Sequence, residues 1–143
     1  MRQSFGRSHA IDDIREEDIA AIMQDQPTLS SYGLGCFSQY HPDLRGDLTV
    51  DLRESRDQLL GSVEHCSNVC DWLYPVAKSK TINKQHSSYS LKHYVERLYK
   101  PFYCYNGSFI VAAIHLGFRC VRSGSAEYFN FDQTSLSRQL VTK

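Results

Sequence analysis

Apolar residues along this chain recur at helical spacing, lose all period, return at helical spacing, and end in two short alternating runs. Between Ser8 and Gln26, Ile11, Ile14, Ile19, Ile22 and Met23 fall within about half of a helical wheel, which predicts a first helix stopped by Pro27. From Thr28 to Leu48 the period dissolves among Gly33, Gly35, Pro42 and Gly46, so this stretch reads as a loop with room for one short strand. Thr49 to Tyr74 carries Leu52, Leu59, Leu60, Val63, Cys66, Val69, Cys70 and Leu73 at steps of three, four and seven. It predicts a long helix capped at Thr49 or Asp51, broken at Gly61-Ser62, restarted with Ser62 as cap and ended by Pro75.

The second half repeats the alternation on a shorter scale. Val76 to Gln85 is polar and basic and reads as an exposed connector. Ser87 or Ser88 then caps a helix to about Tyr99, with Leu91, Tyr94, Val95 and Leu98 inward and Lys92, His93, Glu96 and Arg97 outward. Tyr103 and Tyr105 flank Cys104 in a pattern that suits a short strand. Asn106-Gly107-Ser108 caps a helix apolar nearly all round, ended by Gly117, which makes it the buried centre of the domain. Phe118–Arg122 and Ala126–Phe131, joined through Gly124, form a hairpin signal, and the polar run from Asp132 reads as a flexible tail. The expected fold is an α-rich α+β single domain over residues 1–143, with four or five helices and a C-terminal β-hairpin.

Composition refines this picture. A chain of 143 residues with 41% hydrophobic content can bury one ordinary core. No run approaches the ~18 apolar residues of a membrane span, and the first residues lack the apolar centre of a secretory signal, so a soluble cytoplasmic protein is expected. Five cysteines, an odd and widely spaced set, fit reduced thiols. Cys66 and Cys70 lie four apart beside His65, but the two close ligand pairs of a zinc site are missing, so neither metal nor cofactor is expected.

Charge changes the picture most. Residues 78–122 hold eight cations (Lys78, Lys80, Lys84, Lys92, Arg97, Lys100, Arg119 and Arg122) against the single acid Glu96, a net of +7. Residues 1–77 hold six arginines against thirteen acids, a net of −7. The chain thus divides into an acidic helical half (1–77), a basic helix-turn-helix-hairpin half (78–131) and a tail (132–143). The eight cations are the candidate nucleic-acid contacts, with tyrosines at 89, 94, 99, 103 and 105 available to stack on unpaired bases. The alternative is a protein-interaction module in which Asp12, Asp13, Glu16, Glu17 and Asp18 cover a basic partner; acids at the start of a helix also suit its positive end. Docking of the two halves on each other, or self-association between copies, is compatible with the same charges.

Other chemistry is poorly signalled. YGLGCF lacks the lysine and hydroxyl of a phosphate loop. Cys104 with His93 or His115 and Asn106 can be written as a nucleophilic set, yet no motif surrounds it, and no enzyme is expected. Helix, turn, helix, hairpin is the element order of a winged helix-turn-helix, but helix 107–116 offers only Ser108 and His115 to a groove, so sequence-specific reading is not expected. The run TINKQHSSYSLKHYVER followed by YNGSFIVAAIHLGFRC is similar to small uncharacterised proteins of bacterial phages, plasmids and integrative elements, over about residues 78–131. That resemblance implies mobile-element upkeep or interference with host defence, by binding and without an assigned catalytic residue.

Overall fold

The structure, a computed structural model, describes residues 13–34, 48–124 and 126–141. In chain order these form α1 (Glu16–Asp25), a small hairpin of β1 (Leu29–Ser30) and β2 (Gly33–Leu34), α2 (Leu48–Leu60), α3 (Val63–Leu73) and β3 (Lys78–Asn83). They continue with α4 (Ser88–Leu98), α5 (Asn106–His115), β4 (Cys120–Ser123), β5 (Ala126–Phe131) and α6 (Gln133–Leu140). The fold is α+β and helix-rich, and its C-terminal strands form the expected hairpin, with Gly124 in the left-handed region at φ +66°.

α5 is the centre. Its residues from Gly107 to Ala113 are all buried, as an all-round apolar helix requires, and α1, α3, α4 and β2 pack around it. Phe109 stacks near Trp72 of α3 and near Phe129 and Phe131 of β5, joining helices and sheet in one core; each such ring contributes about 2–3 kcal/mol through burial. Gly107 permits the closest approach, because a Cβ there would lie 1.8 Å from the Ser30 carbonyl oxygen. Gly117, at φ +92°, follows the end of α5 as its sequence position predicts.

Arg56 explains how α1 is held. That helix has no basic residue in its last turn, where carbonyl groups lack partners. Arg56 of α2 supplies the cation instead, donating from Nη1 to the carbonyls of Gln26, Pro27 and Leu29 at 2.8–2.9 Å and from Nη2 to that of Met23 at 2.9 Å.

Several expectations are corrected. α1 begins at Glu16, with Arg15 extended before it, and the stretch from Ser8 to Asp12 lies outside the described residues. α2 begins at Leu48, so neither Thr49 nor Asp51 caps it from outside. The break at Gly61-Ser62 is present, but the Ser62 hydroxyl bonds the Leu59 carbonyl and Ser108 rather than capping α3. Tyr103 to Tyr105 is irregular, and the exposed connector is a strand: β3 pairs antiparallel with β5 and completes a sheet in the order β3-β5-β4. The run read as a tail is α6, capped by the Asp132 carboxylate accepting from the Ser135 N–H at 3.0 Å and anchored by fully buried Leu136.

Candidate functional site

The eight basic residues separate into three groups. Lys78, Lys80, Lys84 and Arg119 are exposed on and beside β3. Asn130 organises this group: its amide accepts from the Arg119 N–H at 2.6 Å and donates to the Ser79 carbonyl at 2.9 Å, bringing the chain before β4 across β5 to β3. The Arg119 guanidinium then donates to the Lys80 carbonyl at 2.9 Å, and the Lys78 ammonium stands 4.8 Å from the Phe118 ring. Across the three strands and their flanks at Lys84 and Arg119, five cations face one acid, Glu127, which is buried. The strands and their flanks therefore carry exposed positive charge and no exposed acid, with Lys78, paired to Phe131, on the side of Phe118 and Arg119 on the side of Asn130.

Arg97 and Lys100 form a second group at the end of α4, in a shallow cleft of about 410 Å³ with Phe102, where Arg97 lies over the Tyr94 ring at 4.3 Å. Lys92 and Arg122 form the third and do not belong to the basic face. Lys92, expected to point outward, is 2% exposed and bonds Glu96 Oε2 at 3.0 Å. Its position explains this: residues 88, 91, 92 and 95 share one buried stripe of α4. Arg122 donates to the Leu34 carbonyl at 2.7 Å and stands 3.9 Å from Glu127, tying the hairpin to β2.

Lys92 leads to a feature that no single stretch of sequence announces. Its ammonium sits over the rings of Tyr103 and Tyr89 at 4.5 and 5.3 Å, and these side chains border a cavity of about 530 Å³. The β1–β2 turn adds Ser31 and Tyr32, α2 adds Gln58, and Tyr105 and Asn106 lead into α5; β5 adds Ala126 and Glu127. The polar wall is pre-arranged. Ser31 donates to Gln58 at 2.8 Å, and the Asn106 carbonyl accepts from Ser88 at 2.7 Å while its amide donates to Tyr32 O and Glu127, each at 3.4 Å.

Two carboxylates here are displaced in opposite directions. Burial pushes Glu127 above the ordinary carboxylate value, outweighing the help it receives from Asn106, Arg122, Ser88 and the Leu34 backbone. Burial also opposes ionisation of Glu96, but the Cys104 N–H, Lys92 and His93 together hold it below the ordinary value.

The acidic candidates are dispersed in role. Asp12 lies outside the described residues, Asp13 is half-buried, and Asp18 accepts from the Arg15 N–H at 2.9 Å, while Glu16 and Glu17 are exposed. Cys66 and Cys70 are buried thiols; burial pushes Cys66 up to about 12 and raises Cys104 as well, so neither is prepared as a thiolate. Among the described residues no three His, Cys, Asp or Glu side chains are grouped to hold a metal ion, and no helix is long and apolar enough to cross a membrane. α5 follows α4 where a helix-turn-helix carries its recognition helix, but Ser108 is fully buried against Ser62 and is not offered to a groove.

Fold and site together define a helix-rich α+β domain with exposed cations on and beside its three-stranded sheet and a tyrosine-lined cavity. No protein-family model matches the chain, and no curated protein or solved structure is similar to it at a significant level.

Proposed function

We propose that this is a non-enzymatic accessory protein that binds nucleic acid, or a nucleoprotein complex, through the exposed cations of the three-stranded sheet. The observation that carries this reading is that Lys78, Lys80, Lys84 and Arg119 are exposed on and beside strands that carry no exposed acid. Phosphates require only such cations, and the contact is independent of base sequence. Arg97 and Lys100 extend the positive surface; Lys92 is buried, and the Arg122 guanidinium is already engaged by the Leu34 carbonyl and Glu127. The proposed role is in mobile-element upkeep or against host defence, exerted by occupying nucleic acid.

The test is the double charge reversal Lys80→Glu/Lys84→Glu, with both side chains exposed and outside the core. Its far-ultraviolet spectrum and melting should match those of the parent, while affinity for short single- and double-stranded DNA and RNA at low salt falls at least about tenfold. Unchanged affinity would sink the proposal. In the second reading, Glu16 and Glu17 cover a basic protein; as Ile19 and Met23 bind α1 into the core, it is tested by Glu16→Lys/Glu17→Lys rather than by deletion.

A further inference from the structure

The cavity around Lys92 has the size of a ligand site, since about 530 Å³ falls within the ~300–1,000 Å³ that such sites occupy. Its charges restrict what can enter. A cationic guest would meet Tyr89 and Tyr103 already engaged by the Lys92 ammonium, at 5.3 and 4.5 Å, and would be repelled by it. A small anion would find that same ammonium neutralised by Glu96 at 3.0 Å, with the Glu127 carboxyl also in the lining. What remains is a neutral, planar molecule whose edge offers both acceptors and donors. Tyr89 and Tyr103, 60% and 61% exposed, supply ring surface for stacking.

We infer that this cavity receives one unpaired nucleobase, guanine in preference to adenine, stacked on Tyr103 and held at its edge by Lys92 and Glu127. The inference deepens the nucleic-acid reading and rests on it for the strand that carries the base. One N–H of Lys92 goes to Glu96, leaving two for acceptors such as guanine O6 and N7. Guanine also presents N–H donors to a carboxylate, whereas adenine has no carbonyl for the ammonium. The sheet register supports a continuous path from phosphate to base. Asn83 pairs with Phe129, two residues from Glu127, so Lys84 stands at the Glu127 end of the sheet, and Ser88 reaches Glu127 at 3.3 Å.

The test uses two labelled single strands with equal numbers of phosphates, one wholly abasic and one carrying a single central guanine, measured by fluorescence anisotropy. The guanine strand should bind about tenfold more tightly, and Tyr103→Ala should abolish that difference while leaving the abasic strand unaffected. Adenine in the same position should recover only part of the gain. Free guanosine, followed by nuclear magnetic resonance, distinguishes the sources: shifts at Tyr105 and Asn106 with a dissociation constant matching the strand's base-dependent gain mean a free nucleoside suffices, and weaker shifts mean the strand delivers the base. Equal binding of the two strands with no guanosine shifts overturns the inference while leaving phosphate contact standing. Guanosine shifts without salt-dependent strand binding would instead overturn the phosphate reading and leave the cavity assignment intact.

Discussion

The Lys92–Glu96 pair gives the sharpest test of how this domain is held together, because its two members are unequally protected. The Lys92 side chain is 2% exposed and that of Glu96 17% exposed, with Nζ and Oε2 at 3.0 Å. Lys92→Met keeps most of the stem volume but removes a charge-assisted hydrogen bond of about 1.5–3 kcal/mol and two ring contacts of about 0.5–1 kcal/mol each. Relief from burying the ammonium offsets part of this, and Glu96, 17% exposed, keeps the Cys104 N–H at 2.9 Å and His93 at 3.0 Å. The net cost should be about 2 kcal/mol. Glu96→Gln retains an acceptor for Cys104 but leaves a buried ammonium without a counter-charge, at about 3–5 kcal/mol. The double variant should cost less than the sum by at least about 1 kcal/mol. Urea denaturation of the four proteins measures all three quantities. A Glu96→Gln cost below that of Lys92→Met, or additivity within about 0.5 kcal/mol, would refute the reasoning.

Three further outcomes follow from the packing. Gly107→Ala should cost more than about 4 kcal/mol, because its methyl would stand 1.8 Å from the Ser30 carbonyl; a melting temperature within a few degrees of the parent would contradict this. Arg56→Lys should lose about 1–2 kcal/mol in chemical denaturation, since an ammonium is a single point and cannot span the carbonyl of Met23 and those of Gln26, Pro27 and Leu29 that two separate guanidinium nitrogens reach, and an unchanged midpoint would argue against the staple. Desolvation by burial outweighs Glu64 and Glu96 and lowers His65 below 6.5, where its neutral Nδ1 accepts from the Tyr105 N–H at 3.5 Å. The unfolded chain therefore takes up this proton first, so the contribution is complete above 6.5 and is lost as pH falls through 6.5 toward the folded value. His65→Phe should remove that loss; the difference between variant and parent cancels the opposite trend from Glu127, whose raised value makes stability fall as pH rises above 4.5.

The elements legible in the sequence are those whose signal is local. α3, α4 and α5 announce themselves by apolar steps of three and four, and the β4–β5 hairpin by two β-rich runs around a glycine. β3 does not, because KSKTIN is an edge strand whose only apolar residue is Ile82, and its pairing with β5 spans about fifty residues. α6 was obscured by having one core residue, Leu136, although Asp132 three residues before Ser135 carries a capping signal. Lys92 is opaque to residue type: its charge suggests solvent, whereas its place between Leu91 and Val95 on the stripe of Ser88 sets it in the core. The basic face was legible as charge, but which cations stay exposed depended on tertiary partners. The cavity collects side chains from positions 31 to 127, a convergence that no periodicity encodes.

The central claim is that exposed sheet cations meet phosphates, and the most direct measurement is the salt dependence of single-strand binding. Four contacts, from Lys78, Lys80, Lys84 and Arg119, each contribute about −0.7 to the slope of log affinity against log salt, so affinity should fall about 50-fold between about 50 and 200 mM salt. Lys80→Glu/Lys84→Glu should at least halve that slope. An affinity indifferent to salt, or no binding at the lower concentration, would contradict the account.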